Sequence, residues 1–396
     1  MSKLLITNAG YGHTLSIIRN MAKDGIEIIA ADTGKLACSC YSRYVKKCYT
    51  YTSPSKNEEK FISDLIEIIK KEKPDVFLPV STETTVIVSK HKDKLKDLVK
   101  VPIADYDQML TAHDKFKSIK LAEETGVPYP KTFILDSLDS LDKILNELGL
   151  PVIIKARLGT GIFARVNSKK EAIEKIKEFE NVRCIKGVIE GKNPLIQEFI
   201  PGQIHDACVL FNKGKLRAVL TQKRLRTLPI NGGPGILNET TNEPELIRYA
   251  EKLLSKINYH GPGLVEFMID ERDKKPKLLE INPKLWGTSN MSIAAGINFP
   301  LLAFKMAVEG DIKPVWNYKV GIRHKWPIPN GILYLKQSKN KIRDGLDLFN
   351  CFGKKNHCGL SIKDPLPDFF QISRMIIREI FPKKFNQWIE NKFKKN

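Results

Sequence analysis

The residues best equipped for chemistry are three oxygen donors set in two apolar runs: Glu266 within Gly263-Leu-Val-Glu-Phe-Met-Ile-Asp270, and Glu280 and Asn282 within Lys277-Leu-Leu-Glu-Ile-Asn282. Carboxylates embedded in apolar strands are costly to bury unless something positive meets them. Glu280 and Asn282 stand two residues apart, so on a strand they share one face. The runs flank Asp270-Glu-Arg-Asp-Lys-Lys-Pro276, a turn-forming stretch, and the sequence predicts a β-hairpin. With Glu266 placed opposite, three hard oxygen donors converge and leave other positions to water and phosphate. That describes a Mg²⁺ or Mn²⁺ site working with a nucleotide. The competing reading is two glutamates on an exposed strand edge.

Cations follow the same logic. Lys155 closes the apolar run Pro151-Val-Ile-Ile-Lys155, where an unpaired ammonium is costly, so it should face an anion. Leu158-Gly-Thr-Gly161 follows directly and is suited to lie over phosphates with its backbone N–H groups; a plain β-turn competes. Lys223, Arg224 and Arg226 place three cations within four residues of a predicted strand, more than solvation requires. Asn231-Gly-Gly-Pro-Gly235 is a loop by composition.

These groups need a frame. Residues 1 to about 110 alternate strand and helix: a strand over 4–7, a helix from Thr14 to Lys23, a strand over 26–32, a helix from Glu58 to Lys71, a strand over 76–80, a further helix and a strand over 101–104. The alternation predicts a parallel sheet. Gly10-Tyr-Gly12 and Asp32 imitate a dinucleotide fingerprint, but Leu15 stands where the third glycine belongs. A tight strand-to-helix turn with Asp32 as a strand-end residue is the preferred reading. The helix start at His13 and Thr14 could still hold an anionic group. A helix containing His113-Asp-Lys115 leads to Thr125-Gly-Val-Pro-Tyr-Pro-Lys131, whose prolines mark entry into a second unit. Strands then follow over 132–135, 151–155, 195–200, 206–211 and 216–226, with helices over 138–148 and 244–257, the last delivering the chain to the hairpin.

A chain of 396 residues with 42% apolar composition is expected to form two to four units. The N-terminus enters a strand rather than a signal peptide, and no segment approaches the roughly 18 apolar residues of a spanning helix, so a cytoplasmic location is expected. The formal charge of +20 invites a nucleic-acid reading. Yet many lysines alternate with acids on helix faces such as 90–97 and 169–177, and no aromatic-basic pattern accompanies them, so no nucleic acid is expected. Seven cysteines form no Cys-x-x-Cys pair, which predicts reduced thiols.

In chain order, Lys115, Lys155 with its glycine turn, Gln197-Glu-Phe-Ile-Pro-Gly202, Lys223-Arg224, Glu266 and Glu280-Ile-Asn282 would cradle Mg-ATP. This run resembles the ATP-grasp superfamily over roughly residues 1 to 315. It is similar to a single carbamoyl-phosphate-synthase-like unit and to carboxylate-amine ligases. The resemblance implies an α/β and α+β chain: a Rossmann-like domain over 1–110, a small lobe over 111–200, a large lobe with the metal hairpin over 201–320, and a basic extension over 321–396. It implies that Lys115, Lys155 and Lys223 serve the nucleotide phosphates. Glu198, Phe199 and Ile200 would form the hinge that receives adenine, Asp206 would meet the ribose, and Glu266, Glu280 and Asn282 would bind the metal. Relatives often carry arginine where this chain has Lys284, so a bidentate grip becomes a point-charge contact.

The implied reaction forms ADP: a carboxylate is activated as an acyl phosphate and joined to an amine, with Lys155, Arg224 and Lys284 acting on the reacting groups. Arg226, Trp286, Ser289 and Arg323 are substrate-side candidates, against core packing for Trp286 and an ordinary strand for Arg323. Partners would be a small-molecule acid and amine, with a homodimer as one assembly. Phosphorylation or carboxylation without amide formation, or a non-catalytic nucleotide- or nucleic-acid-binding scaffold, are the alternatives. No biotin-carrier segment and no internal repeat of a duplicated grasp is visible.

From Gly331 to Asn396 there are 14 Lys and Arg against 6 Asp and Glu. Phe369, Ile372, Met375, Ile376 and Ile380, then Phe385, Trp388, Ile389 and Phe393, recur at helical spacing and predict two amphipathic helices parted at Pro382. Lys383, Lys384, Lys392, Lys394 and Lys395 flank the second. Docking on the protein's own core is favoured; peripheral contact with an anionic membrane or a lipid-linked precursor is the alternative.

Overall fold

The computed structural model describes residues 2–380 apart from 160, 183, 231 and 352, with side chains as far as residue 373. Leu4, Leu5 and Ile6 are buried on both faces, as expected of a strand covered by helices on each side. They form β1 (Lys3–Ile6), which with β2 (Glu27–Asp32), β3 (Val45–Thr50) and β4 (Val76–Leu78) makes a parallel sheet of order β3-β2-β1-β4. That is the order of the first four strands of a doubly wound sheet, with the switch point between β1 and β4. Helix α1 (Gly12–Lys23) joins β1 to β2, α2 (Glu58–Glu72) joins β3 to β4, and α3 (Thr82–Lys90) follows β4. The Gly10 N–H donates to Asp32 Oδ2 at 2.8 Å, so Asp32 closes the strand-to-helix turn. On α2, Asn57 caps the start, Glu58 and Glu59 occupy the first turn and Lys70 and Lys71 the last, matching the helix dipole at both ends.

Several expectations here are corrected. Residues 101–104 form no strand; only Lys100 bridges Val76, and Pro102 has no N–H to give a ladder. β3 was hidden because Lys46, Lys47 and Cys48 all face solvent, which erases alternation. Cys48 is bonded to Cys40 as a disulfide, in place of two reduced thiols. The helix through His113 and Lys115 is two helices, α4 (Tyr106–His113) and α5 (Lys115–Thr125), parted at Asp114. Asp114 Oδ1 accepts the N–H groups of Phe116 and Lys117 and caps α5.

The second sheet is antiparallel, of order β5-β8-β6-β7: β5 (Thr132–Ile134), β6 (Val152–Lys155), β7 (Phe163–Val166) and β8 (Leu195–Glu198). Helices α6 (Leu141–Leu148) and α7 (Lys169–Glu180) bury Leu141, Ile144, Ile176 and Phe179 against its Val152, Ile154 and Ile196.

The third sheet carries the hairpin. Its order is β13-β12-β9-β10-β11-β14-β15: β9 (Gly202–Asn212), β10 (Lys215–Thr227), β11 (Gly235–Thr241), β12 (Gly261–Asp270), β13 (Pro276–Asn282), β14 (Arg323–Lys325) and β15 (Asn356–Cys358). Period-two alternation sorts its side chains. Ala207, Val209, Val219, Val265 and Phe267 join the core around α8 (Pro244–Lys256). Cys208, Leu210, Leu220 and Leu264 join the opposite core, with Trp286, α9 (Ser289–Ala295) and α10 (Phe299–Glu309). At the entry to β9 a Cβ on Gly202 would sit 2.0 Å from the Ile269 carbonyl oxygen, so only glycine lets this strand press against β12.

The basic extension expected from residue 321 joins the third sheet, since β14 pairs antiparallel with β11 and β15 parallel with β14. Helices α11 (Ile332–Gln337), α12 (Lys341–Phe349) and α13 (Pro365–Ile380) follow. On α13 the expected core-facing Phe369 is exposed, while its neighbour Phe370 stacks on Tyr41 with ring centroids 3.9 Å apart. The side chains of Met375, Ile376 and Ile380 and the whole second helix, with Phe385, Trp388 and Lys383, lie outside the described residues. Among the described residues no single helix is long and apolar enough to cross a membrane.

Candidate active site

The register of the third sheet builds the site. Glu266 pairs directly with Glu280 on one side and with Asp206 on the other, and Asp206 pairs with Gln222. The four side chains form one row across four strands, on the face that also carries Leu264, Cys208 and Leu220. Asn282 Nδ2 donates to Glu266 Oε1 at 2.9 Å and to Glu280 Oε1 at 3.0 Å, so the three oxygen-bearing groups of the hairpin converge. Neither glutamate is an exposed edge residue: their side chains are 12% and 20% accessible.

Cations from other elements meet the row. Lys115 opens α5 and places Nζ 3.4 Å from Glu280 Oε2, while also donating to the Gly159 carbonyl. Its helix start is fixed twice, by the Asp114 cap and by Arg157, which grips both Asp114 oxygens at 2.8 and 2.9 Å. Lys155, at the end of β6, donates to the Leu279 carbonyl at 3.1 Å. Arg224 lies 2.7 Å from Glu266 Oε1 and 2.8 Å from Asp206 Oδ1. Lys284 makes no ion pair among the described residues; desolvation disfavours protonation of His13, and the nearby Lys284 adds to this.

Burial and these neighbours set the protonation states. Burial drives the Lys155 ammonium down to about 7, and Lys115 pushes the same way. Burial also lowers Lys284, against the pull of Glu280 and Glu266. Glu280 is held ionised below the usual carboxylate range: burial opposes this, but Lys115 and Lys155 outweigh it. Glu266 moves the other way, raised by burial more than Arg224 lowers it. The donor set fits a divalent cation with a polyanion. Added positive charge would satisfy Glu266 and Glu280, and added negative charge would satisfy Lys155 and Lys284.

Other expected residues are placed elsewhere. Lys223 and Arg323 stand on the opposite face of the sheet, both paired with Glu239, at 3.3 and 2.7 Å, because one-residue steps along a strand reverse the side chain. Arg226 pairs with Asp344 and Asp347 of α12 rather than facing the carboxylate row. Asp206 is fully buried with its oxygens taken by Arg224 and by Gln222 at 2.7 Å, so it is closed to a ribose. Trp286 packs edge-on against Phe299, and Ser289 Oγ donates to the Trp286 carbonyl, which makes both part of the core turn.

Glu198, Phe199 and Ile200 connect β8 to β9. Glu198 pairs with Arg272 at 2.7 Å, and Phe199 lies under the Arg165 guanidinium, 4.1 Å from the ring centre. The backbone of Phe199 and Ile200 belongs to neither ladder, so unpaired chain joins the two sheets here. Sequence reasoning missed Asp114 and Arg157; the signal for the first was an aspartate, a favoured N-cap type, immediately before Lys115. It also missed Gln222, held by a 2.7 Å hydrogen bond from Thr288 Oγ1.

Comparison with known proteins agrees with this geometry. The family described as "ATP-grasp in the biosynthetic pathway with Ter operon" matches residues 191–327. The carbamoyl phosphate synthase large chain of Methanocorpusculum labreanum is 25% identical over 318 residues, 76% of this chain and 28% of that protein. The chain thus spans less than a third of that relative. The D-alanine–D-alanine ligase of Carboxydothermus hydrogenoformans is 31% identical over 223 residues, covering 50% of this chain and 69% of the ligase. Among solved structures, a biotin carboxylase of Campylobacter jejuni superposes with a TM-score of 0.66 at 18% identity, over 81% of this chain and 74% of that one, a likeness of fold.

Proposed function

Because the chain belongs to the ATP-grasp superfamily, we propose that it is an ADP-forming ligase that activates a small carboxylic acid as an acyl phosphate and joins it to an amine. The observation that carries the reading is the pairing of Glu266 with Glu280 under the bridging Asn282 amide, faced by Lys115 and Lys155 from other elements. Two adjacent carboxylates, each already beside a protein cation, favour a site where a divalent cation and a polyanion meet.

Glu266, Glu280 and Asn282 would hold Mg²⁺ or Mn²⁺, which screens charge where the acid meets the triphosphate. Lys115 and Lys155 hold the phosphates, and the hinge at Phe199 and Ile200 takes the adenine. Lys284, which has no ion-pair partner among the described residues, supplies a point charge to the acid. A carboxylate oxygen bonds to the γ-phosphorus while the bond to the β,γ-bridging oxygen breaks and ADP leaves. The amine nitrogen then bonds to the acyl carbon, inorganic phosphate departs, and the nitrogen loses a proton. The likeness to a D-alanine–D-alanine ligase supports the second half-reaction; the row of carboxylates and lysines supports the first.

The test is ADP release from ATP and Mg²⁺ across panels of acids and amines, with hydroxylamine as a trap for acyl phosphate. Acid-dependent hydroxamate and amine-dependent turnover are expected. Acid-dependent ADP without amine incorporation would make it a kinase, and no acid dependence at all would leave a binding protein.

A further inference from the structure

The C-terminal part of the chain carries surface that this site leaves unused. Among the described residues, the five most exposed large apolar side chains are Ile362 (92%), Ile342 (80%), Leu346 (73%), Phe369 and Leu366, all within residues 342–369. Ile342 and Leu346 are joined by the exposed Phe349 at four- and three-residue spacing, so one face of α12 is an apolar stripe that none of the described residues covers. Scattered exposed leucines are ordinary, but a stripe of them marks a contact surface.

The acids of the same stretch point inward. Asp344 and Asp347 pair with Arg226, Asp347 also with the buried Lys325, and Asp364 and Asp368 with the buried Arg19. These four are every Asp and Glu between residues 331 and 373. The cations do the reverse. Lys339, Lys341, Arg343, Lys354, Lys355 and Lys363 are exposed and make no ion pair among the described residues. The fold has sorted the segment, with negative charge turned to the protein and apolar and positive groups turned to solvent.

We propose that this face is a docking surface for an anionic lipid bilayer, with α12 lying in the interface, its apolar stripe among the acyl chains and Lys339, Lys341 and Arg343 at the headgroups. Charge argues against a second copy of the chain as the occupant, because a two-fold contact would set these cations against their own equivalents. The inference is independent of the ligase reading.

The test is co-sedimentation of the full chain with vesicles containing phosphatidylglycerol, and with vesicles of phosphatidylcholine alone, at low and high salt. Binding to the anionic vesicles alone is expected, weakening with salt. The double variant Ile342→Asp/Leu346→Asp and the triple variant Lys339→Glu/Lys341→Glu/Arg343→Glu should each lower the partition coefficient about 10-fold or more. Thermal unfolding checks that both variants fold, since every altered side chain is exposed. Equal binding to phosphatidylcholine, or wild-type binding by both variants, would overturn the proposal. So would a concentration-dependent dimer that Ile342→Asp/Leu346→Asp dissolves while vesicles bind nothing.

Discussion

Arg224 places Nη2 2.7 Å from Oε1 of Glu266, the same oxygen that accepts the Asn282 amide. The guanidinium therefore supplies positive charge at the spot where two carboxylates would otherwise repel, and it does so on the oxygen nearest the bridging amide. Arg224 is a counter-charge within the cluster, with both Asp206 and Glu266 dependent on it.

Replacing it with methionine, which keeps much of the length and removes the charge, leaves two buried carboxylates unpaired. Loss of one partner of a buried pair costs about 3–5 kcal/mol. Arg224→Met should therefore unfold at lower temperature, and Mg²⁺ should raise its melting temperature by more than it raises that of the wild type, because the ion replaces the missing charge. Equal Mg²⁺ shifts in the two proteins would show that the cation binds away from Glu266.

Glu280→Gln keeps the size and the hydrogen bond to Asn282 but removes the charge that Lys115 and Lys155 hold ionised. Turnover should fall by at least about 10³-fold while circular dichroism stays unchanged, since β13 still packs. Activity within a few-fold of wild type would remove Glu280 from the metal assignment.

Lys155 gives a pH signature. Burial holds its ammonium at about 7 in the free protein, and a bound polyphosphate would raise it toward the ordinary lysine range. Below about pH 6 the group is already protonated, so ATP binding moves no proton onto it. Near pH 8 it is mostly neutral until ATP arrives, so binding should take up close to one proton and ATP affinity should weaken as pH rises from about 6.5 to 8.5. Calorimetry in buffers of different ionisation enthalpy measures the uptake, and Lys155→Met should abolish it. An unchanged proton count in the variant would mean that Lys155 does not meet the nucleotide.

Much of this was legible in the sequence, for a reason that also sets the limit. Glu266, Glu280 and Asn282 interrupt apolar strands, and period-two alternation places the last two on one face without any tertiary knowledge. The same alternation says that Lys223 and Arg224 point to opposite sides, but only the pairing of β9 with β12 shows which side carries the carboxylates. Arg226 has the parity of Arg224, yet the ladder shifts register between them and the partners that claim Arg226 lie over a hundred residues further on. β14 and β15 were likewise set by pairing across distant sequence, with too few residues in each to show a period.

That distinction can be tested at Arg226. Its guanidinium ties β10 to α12 through Asp344 and Asp347, so its work is to hold the segment after β14 against the sheet. Arg226→Gln should lower the melting temperature and increase hydrogen exchange across residues 341–349. The side chain is partly accessible, so water screens part of the loss and a cost of about 1–2 kcal/mol is expected, less than for a fully buried pair. KM for ATP and for the acid should stay within about two-fold of wild type, because no contact of Arg226 reaches Glu266, Glu280 or the lysines that face them. A rise of ten-fold or more in the KM of the acid, with the melting temperature unmoved, would return Arg226 to the substrate pocket.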